Sequence, residues 1–229
     1  MTQQQQQARH FASAEVTGQV LTVRHDPGRD AVRTVIGIGD NNRMQVTFWK
    51  NAAAASIPQG AVIRAWGRLS QWGQPLRTTL DVSPHTQHGF CLVDPAATRP
   101  SAGWTILGTL EDVRGDQATI TVVTPARVVD GISYDERRTT YTVRVPEHLA
   151  PVLRELAGED ILLRGTFAFE QHTDGYGRAV TSLVLVATEA RHRGQPLLSV
   201  TPAEPEPETP PSPRPRRTNG PARDVSIPF

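Results

Sequence analysis

Gly60-Ala61-Val62-Ile63-Arg64-Ala65-Trp66-Gly67-Arg68-Leu69 is the stretch whose reading decides the fold. Ile63, Ala65 and Leu69 fall on one side of an extended chain, and Arg64, Trp66 and Arg68 fall on the other. Strict alternation over this length is the pattern of a β-strand with one buried and one open face. The flanking segments repeat it. Arg43 to Lys50 sets Met44, Val46 and Phe48 against Arg43, Gln45, Thr47 and Trp49. Leu76 to Val82 sets Leu76, Thr78, Leu80 and Val82 against Arg77, Thr79 and Asp81. Upstream, Glu15 to Arg24 and Ala31 to Ile38 are further strands, broken by Asp26-Pro27-Gly28 and by Gly39-Asp40-Asn41-Asn42. Arg33 lies between the inward positions Val32 and Thr34.

With a short helical insert at Ala52 to Ala55, these five strands predict a five-stranded Greek-key OB barrel. The order then recurs. Thr105 to Val113, Ala118 to Val123, Arg138 to Val145, a helical Glu147 to Ala157, Asp160 to Phe169 and Arg178 to Ala187 reproduce it about 90 residues later. The expected fold is therefore all-β with minor helix: two tandem OB barrels, at residues 13–85 and 103–190, joined by a linker at 86–102. Residues 1–12, with the run Gln3 to Gln7, and residues 191–223, with Pro202 to Pro215, are too polar or Pro-rich to bury a core and are expected to be disordered. Residues 224–229, Asp224-Val225-Ser226-Ile227-Pro228-Phe229, form an apolar hook after that segment. Such a tip suits insertion into a partner's pocket.

The formal charge is +4 over residues 1–99, −5 over 100–190 and +2 over 191–229. A polyanion therefore favours the first half. The single cysteine, Cys91, excludes an internal disulfide framework and suits a reducing cytoplasm. No apolar run is long enough for a membrane-spanning helix, and no signal peptide is evident. Neither a phosphate-binding Gly-rich loop nor a nucleophile elbow occurs, so no enzyme and no cofactor is expected. His85, His88 and Cys91 offer three potential ligands where structural zinc commonly takes four, so no metal is assigned. The other histidines read as surface residues, and Glu111-Asp112 and Glu159-Asp160 as strand-edge solubility features.

Several stretches resemble the bacterial single-stranded-DNA-binding proteins. Val46-Thr47-Phe48-Trp49-Lys50 is similar to that family's third strand, and Gly60 to Leu69 to its fourth. Leu149-Ala150-Pro151-Val152 and Gly165-Thr166-Phe167 are similar to the same helix and strand in a second copy. The terminal Asp224 to Phe229 resembles the family's tip, several Asp residues followed by Ile/Leu-Pro-Phe. The resemblance implies sequence-independent binding of single-stranded DNA in replication, recombination and repair. It also implies recruitment of partner proteins through Asp224, Ile227, Pro228 and Phe229, and a homodimer presenting four barrels.

Arginines that track phosphates and aromatic rings that stack bases are what such binding needs. The DNA-contacting candidates are Arg33, Arg43, Trp49, Arg64, Trp66, Arg68, Trp72 and Arg77, with Tyr176 in the second barrel. Trp49 and Trp72 stand where the family carries stacking aromatics. Arg43 replaces another, and Val145 and His172 replace the corresponding pair in the second unit. The rival reading is an OB-fold adaptor that binds genome-maintenance proteins, and an RNA ligand is a further alternative.

Overall fold

The computed structural model describes residues 10–39, 42–73, 76–83, 89–129, 131–173, 177 and 179–199. The first barrel consists of β1 (Phe11–Asp26), β2 (Ala31–Gly37), β3 (Arg43–Trp49), β4 (Val62–Trp72) and β5 (Arg77–Val82). These close in the order β1-β2-β3-β5-β4-β1, antiparallel except for β3 with β5. The expected helical insert is a 3-10 turn, Ala52–Ser56, started by Asn51, whose side chain accepts from the Ala54 amide at 3.3 Å. Strand β6 (Gly89–Leu92) adds to the free side of β4.

The second barrel repeats the circuit with β7 (Ser101–Arg114), β8 (Gln117–Thr124), β11 (Arg137–Arg144), β12 (Asp160–Thr173) and β13 (Ala179–His192). Helix α1 (Ala150–Glu155) precedes β12 and buries Leu153 and the preceding Leu149. A two-stranded ribbon, β9 (Arg127–Val129) and β10 (Ile132–Tyr134), rises between β8 and β11. β14 (Gln195–Ser199) pairs with β13. No helix among the described residues is long and apolar enough to cross a membrane.

Shared backbone irregularities mark the duplication. The β1 ladder shifts register between Val20 and Thr22, and the β7 ladder shifts 90 residues later, between Leu110 and Asp112. A β-carbon at Gly18 would lie 1.9 Å from the Gly37 carbonyl oxygen, and one at Gly108 2.6 Å from that of Thr121. Gly67 and Gly165 are equally confined, at 2.3 Å from the Asp81 oxygen and 1.9 Å from the Val186 oxygen. Each pair of strands crosses too closely for any side chain, so glycine is required at both places. The inward sides of the alternating strands form the cores: Val16, Ile36, Val46, Phe48, Ile63, Leu69 and Leu80 in the first, and Ile106, Leu110, Ile120, Val143, Ile161, Leu163 and Leu185 in the second.

Three expected boundaries need correction. Residues 11 and 12 of the segment expected to be disordered open β1, and Ala12 is buried. The linker expected at 86–102 contains β6, because the Phe90 ring packs edge-on against the buried Phe48 at 5.1 Å, and it also contains the start of β7. The disordered segment expected from residue 191 instead begins with the end of β13 and with β14, whose Leu197 packs on the core. Two other expectations change as well. His10 is not a simple surface histidine: its Nε2 lies 3.0 Å from Asp160, and its Nδ1 accepts from the Val123 amide at 3.2 Å. Glu159 bonds His192 and Arg193, and these bonds hold its carboxyl below the usual carboxylate range. Residues 200–229, including the expected tail and tip, lie outside the described residues.

The barrels join by backbone. β1 and β7 pair antiparallel from Phe11 opposite Leu107 to Thr17 opposite Ser101, so one sheet runs β6-β4-β1-β7-β12-β13-β14. A second seam forms where the β4–β5 hairpin meets β11 and β13. The Tyr141 hydroxyl donates to the Leu69 carbonyl at 2.6 Å, the Thr142 amide donates to Gln71 Oε1 at 3.0 Å, and Thr78 donates to the Leu183 carbonyl at 3.1 Å. Burial pushes the Tyr141 phenol up to about 12 from its ordinary 10.0. In the unfolded chain this phenol ionises near pH 10 while the folded one stays protonated. Its contribution is therefore complete below pH 10 and is lost as pH rises through about 12. Tyr141→Phe is expected to cost about 1 kcal/mol at neutral pH. It should also flatten the fall in urea-unfolding stability between pH 10 and 12. An unchanged alkaline fall would remove Tyr141 from that seam.

Candidate nucleic-acid interface

The open face of the first barrel is built from the outward positions of β3, β4 and β5. Gly67 lets β5 approach β4 closely, which puts Asp81 directly across from Arg68 on one side and from Thr47 on the other. The Asp81 carboxylate then accepts from the Trp49 indole N–H at 3.3 Å and from the Ser70 hydroxyl at 2.7 Å, with Arg68 at 3.8 Å. Trp66 projects from the same face and lies against the β6 backbone, where a β-carbon on Gly89 would come within 2.8 Å of its indole. At the tip of the β4–β5 hairpin, Trp72 is 51% exposed, and the Arg77 guanidinium sits 5.4 Å from its ring centroid. A cation over an aromatic face combines charge with a stacking plane.

The remaining candidates in the first barrel are spread around that face. Arg64 pairs with Glu15 across β1 at 2.8 Å, and this bond raises its already high pKa. Arg33 pairs with Asp26 at 3.1 Å. Arg43 is exposed at the start of β3. These partners come from distant or turn-related positions that the strand alternation does not indicate.

A cleft of about 1290 Å³ crosses the barrel junction, bringing Trp49, Trp66 and Arg68 together with Trp104, Arg127 and Arg164 of the second barrel. Arg33, Arg43, Arg64, Trp72 and Arg77 do not line it. Two cleft arginines escaped the sequence reading. Arg164 precedes Gly165 on β12, and Arg127 opens the β9–β10 ribbon, where it lies 5.7 Å from the ring of Tyr134. Tyr134 is 46% exposed, and Arg137 and Arg138 follow it at the start of β11. The signal was present in Arg127-Val128-Val129 and Ile132-Ser133-Tyr134, two short apolar runs flanking Gly131, a sequence pattern of a hairpin.

In the second barrel, Val145 is buried and offers no surface. The His172 side chain and Tyr176 lie outside the described residues, as do Asp224, Ile227, Pro228 and Phe229. Its acidic side chains are largely tied into pairs: Asp112 with Arg114, and Asp116 and Glu170 with Arg144. The bond from Arg114 holds Asp112 below the usual carboxylate range. No group of three metal-ligating side chains occurs among the described residues, and His85 and His88 lie outside them.

Comparison with solved structures places this architecture. The wild-type single-stranded DNA binding protein from Thermus aquaticus superposes with a TM-score of 0.50 at 16% identity, covering 95% of this chain and 98% of that one. A deletion variant of the same protein gives 0.50 at 17% identity, covering 86% and 100%. The chain has the fold of a single-stranded-DNA-binding protein. No protein-family model and no curated protein matches the sequence. At this identity the likeness carries the two-barrel architecture, and the site rests on the residues of this chain.

Proposed function

We propose that the protein binds single-stranded DNA without sequence preference. The observation that carries this reading is the cleft in which Trp49, Trp66 and Arg68 of the first barrel meet Arg127 and Arg164 of the second across one unbroken β-ladder. Indole faces stack any base, and guanidinium groups follow a phosphate chain whatever its sequence. The path runs from Trp72 and Arg77, over Trp49, Trp66 and Arg68, to Arg164 and the Arg127–Tyr134 ribbon. Arg33 and Arg43 flank it as secondary phosphate contacts, Arg64 beside them is tied to Glu15, and Tyr176 is a further stacking candidate of the second barrel.

The wider role rests on the sequence resemblance. The protein acts in cytoplasmic DNA replication, recombination and repair as a homodimer with four barrels. Its tip, Asp224, Ile227, Pro228 and Phe229, recruits partner proteins.

Titration of the intrinsic tryptophan fluorescence with oligo(dT) tests the DNA reading. Saturable quenching is expected with single strands and not with duplex, and the affinity should fall with salt. Contact with three to five phosphates gives a log–log salt slope of roughly −2 to −3.5. Removal of residues 224–229 should leave that binding intact while abolishing co-purification of replication and repair proteins. Absent quenching together with retained partner capture would support the adaptor instead.

A further inference from the structure

We propose that Asp81 is a positioning residue: its carboxylate holds the Trp49 indole in the orientation that stacks a base. This rests on the reading of the face as a single-strand binding surface.

A carboxylate there needs a reason, because it repels the phosphates that the neighbouring arginines attract. Asp81 stands in the middle of β5, opposite Arg68 on β4 and Thr47 on β3. Trp49 and Ser70 lie two residues further along those strands and so point to the same side. Both carboxylate oxygens are used: Oδ1 takes the Trp49 N–H at 3.3 Å, and Oδ2 takes the Ser70 hydroxyl at 2.7 Å. The indole has one donor and no acceptor, so this single bond fixes the direction of the ring edge. Ser70 fixes the carboxylate in turn. All four groups are anchored on paired strands, and Trp49, Arg68 and Asp81 line the cleft.

The internal duplication supplies a control. Leu80 pairs with Leu69 and Val46, and Leu185 pairs with Phe167 and Val143, so the two barrels align position by position. In the second barrel Val186 takes the place of Asp81, Thr166 that of Arg68 and Ala168 that of Ser70. Pro146 follows Val145 where Trp49 follows Phe48. The acceptor is thus missing where the second barrel has no indole at the position of Trp49.

The test uses the full chain with Asp81→Asn and Asp81→Ala, labelled with 5-fluorotryptophan. Four indole resonances are expected, and that of Trp49 is assigned by its loss in Trp49→Phe. In the free protein, Asp81→Ala should shift and broaden the Trp49 resonance while leaving in place that of Trp104, whose N–H is held by the Thr166 carbonyl instead. Loss of the bond should weaken oligo(dT) binding about five-fold, although the variant carries one negative charge fewer. Asp81→Asn keeps an acceptor oxygen and should recover most of the affinity, and as a near-isostere it tests the idea if the alanine variant does not fold. Equal or tighter binding by folded Asp81→Ala would mean that charge alone matters at this position and would overturn the proposal. An unmoved Trp49 resonance in the free protein would overturn it whatever the ligand. Failure of the unaltered protein to bind oligo(dT), with the resonance shift present, would sink the DNA reading and with it the stacking role.

Discussion

Trp104→Ala is expected to lower stability by about 3–5 kcal/mol, the range for truncating a buried aromatic side chain. It is also expected to divide unfolding into two transitions. Trp104 is 3% exposed on β7, and its indole N–H donates to the Thr166 carbonyl at 2.7 Å. Gly165 beneath it has no room for a side chain, since a β-carbon there would approach the ring to 2.6 Å. Across the junction, Trp104 is paired with Ala14. By the 90-residue offset of the two β1-type strands, Ala14 is its counterpart in the first barrel. The pseudo-twofold axis of the duplication therefore passes between one position occupied twice, once by alanine and once by tryptophan. The ring lies over Gly165 of its own barrel, and Trp104 and Ala14 both belong to the one buried cluster that runs through both barrels. Urea unfolding followed by both circular dichroism and fluorescence reads the outcome. A single coincident transition with less than 1 kcal/mol lost would mean that the backbone ladder and the Tyr141 seam hold the barrels together without Trp104.

That junction was not legible in the sequence, although most of the barrel was. Alternation in Val62 to Leu69 and in Arg43 to Lys50 assigned Ile63, Ala65, Leu69, Met44, Val46 and Phe48 to the interior, where all of them lie. Period two is a local property and needs no knowledge of partners. Pairing between β1 and β7, roughly 90 residues apart, leaves no local trace, and Trp104 alone reads as any strand tryptophan. β6 was hidden for a related reason: its flanking Pro84 and Pro100 signal a linker, while the contact that orders it, Phe90 on Phe48, joins distant segments. The site divides along the same line. Trp49, Trp66 and Arg68 were found because they alternate with core residues on adjacent strands. Arg127 and Arg164 reach the cleft only because the second barrel docks against the first. Conversely, Arg64 looked available, yet it is paired with Glu15 on a strand 49 residues earlier.

Replacing Trp49 and Trp72 together with alanine is expected to weaken oligo(dT) binding at least about thirty-fold. Base stacking is worth roughly 1–3 kcal/mol per base, and these two rings sit on separate parts of the proposed path. Neither change should unfold the chain. Trp72 is half exposed at a hairpin tip, and Trp49 is half-buried at the end of β3. The salt slope is the discriminating quantity. Stacking releases no counterions, so the double variant should keep the wild-type slope while its affinity drops. Arg68→Ala combined with Arg164→Ala should do the reverse, flattening the slope by about one to two units with a smaller loss at moderate salt. Arg64→Ala should have little effect on either quantity, because its guanidinium is already neutralised by Glu15 at 2.8 Å. If the double tryptophan variant loses less than three-fold, the indoles serve packing, and phosphate contacts dominate the cleft. If it flattens the slope as well, Trp72 is acting through the arginine stacked on it. Arg77 would then be the residue that meets the phosphate.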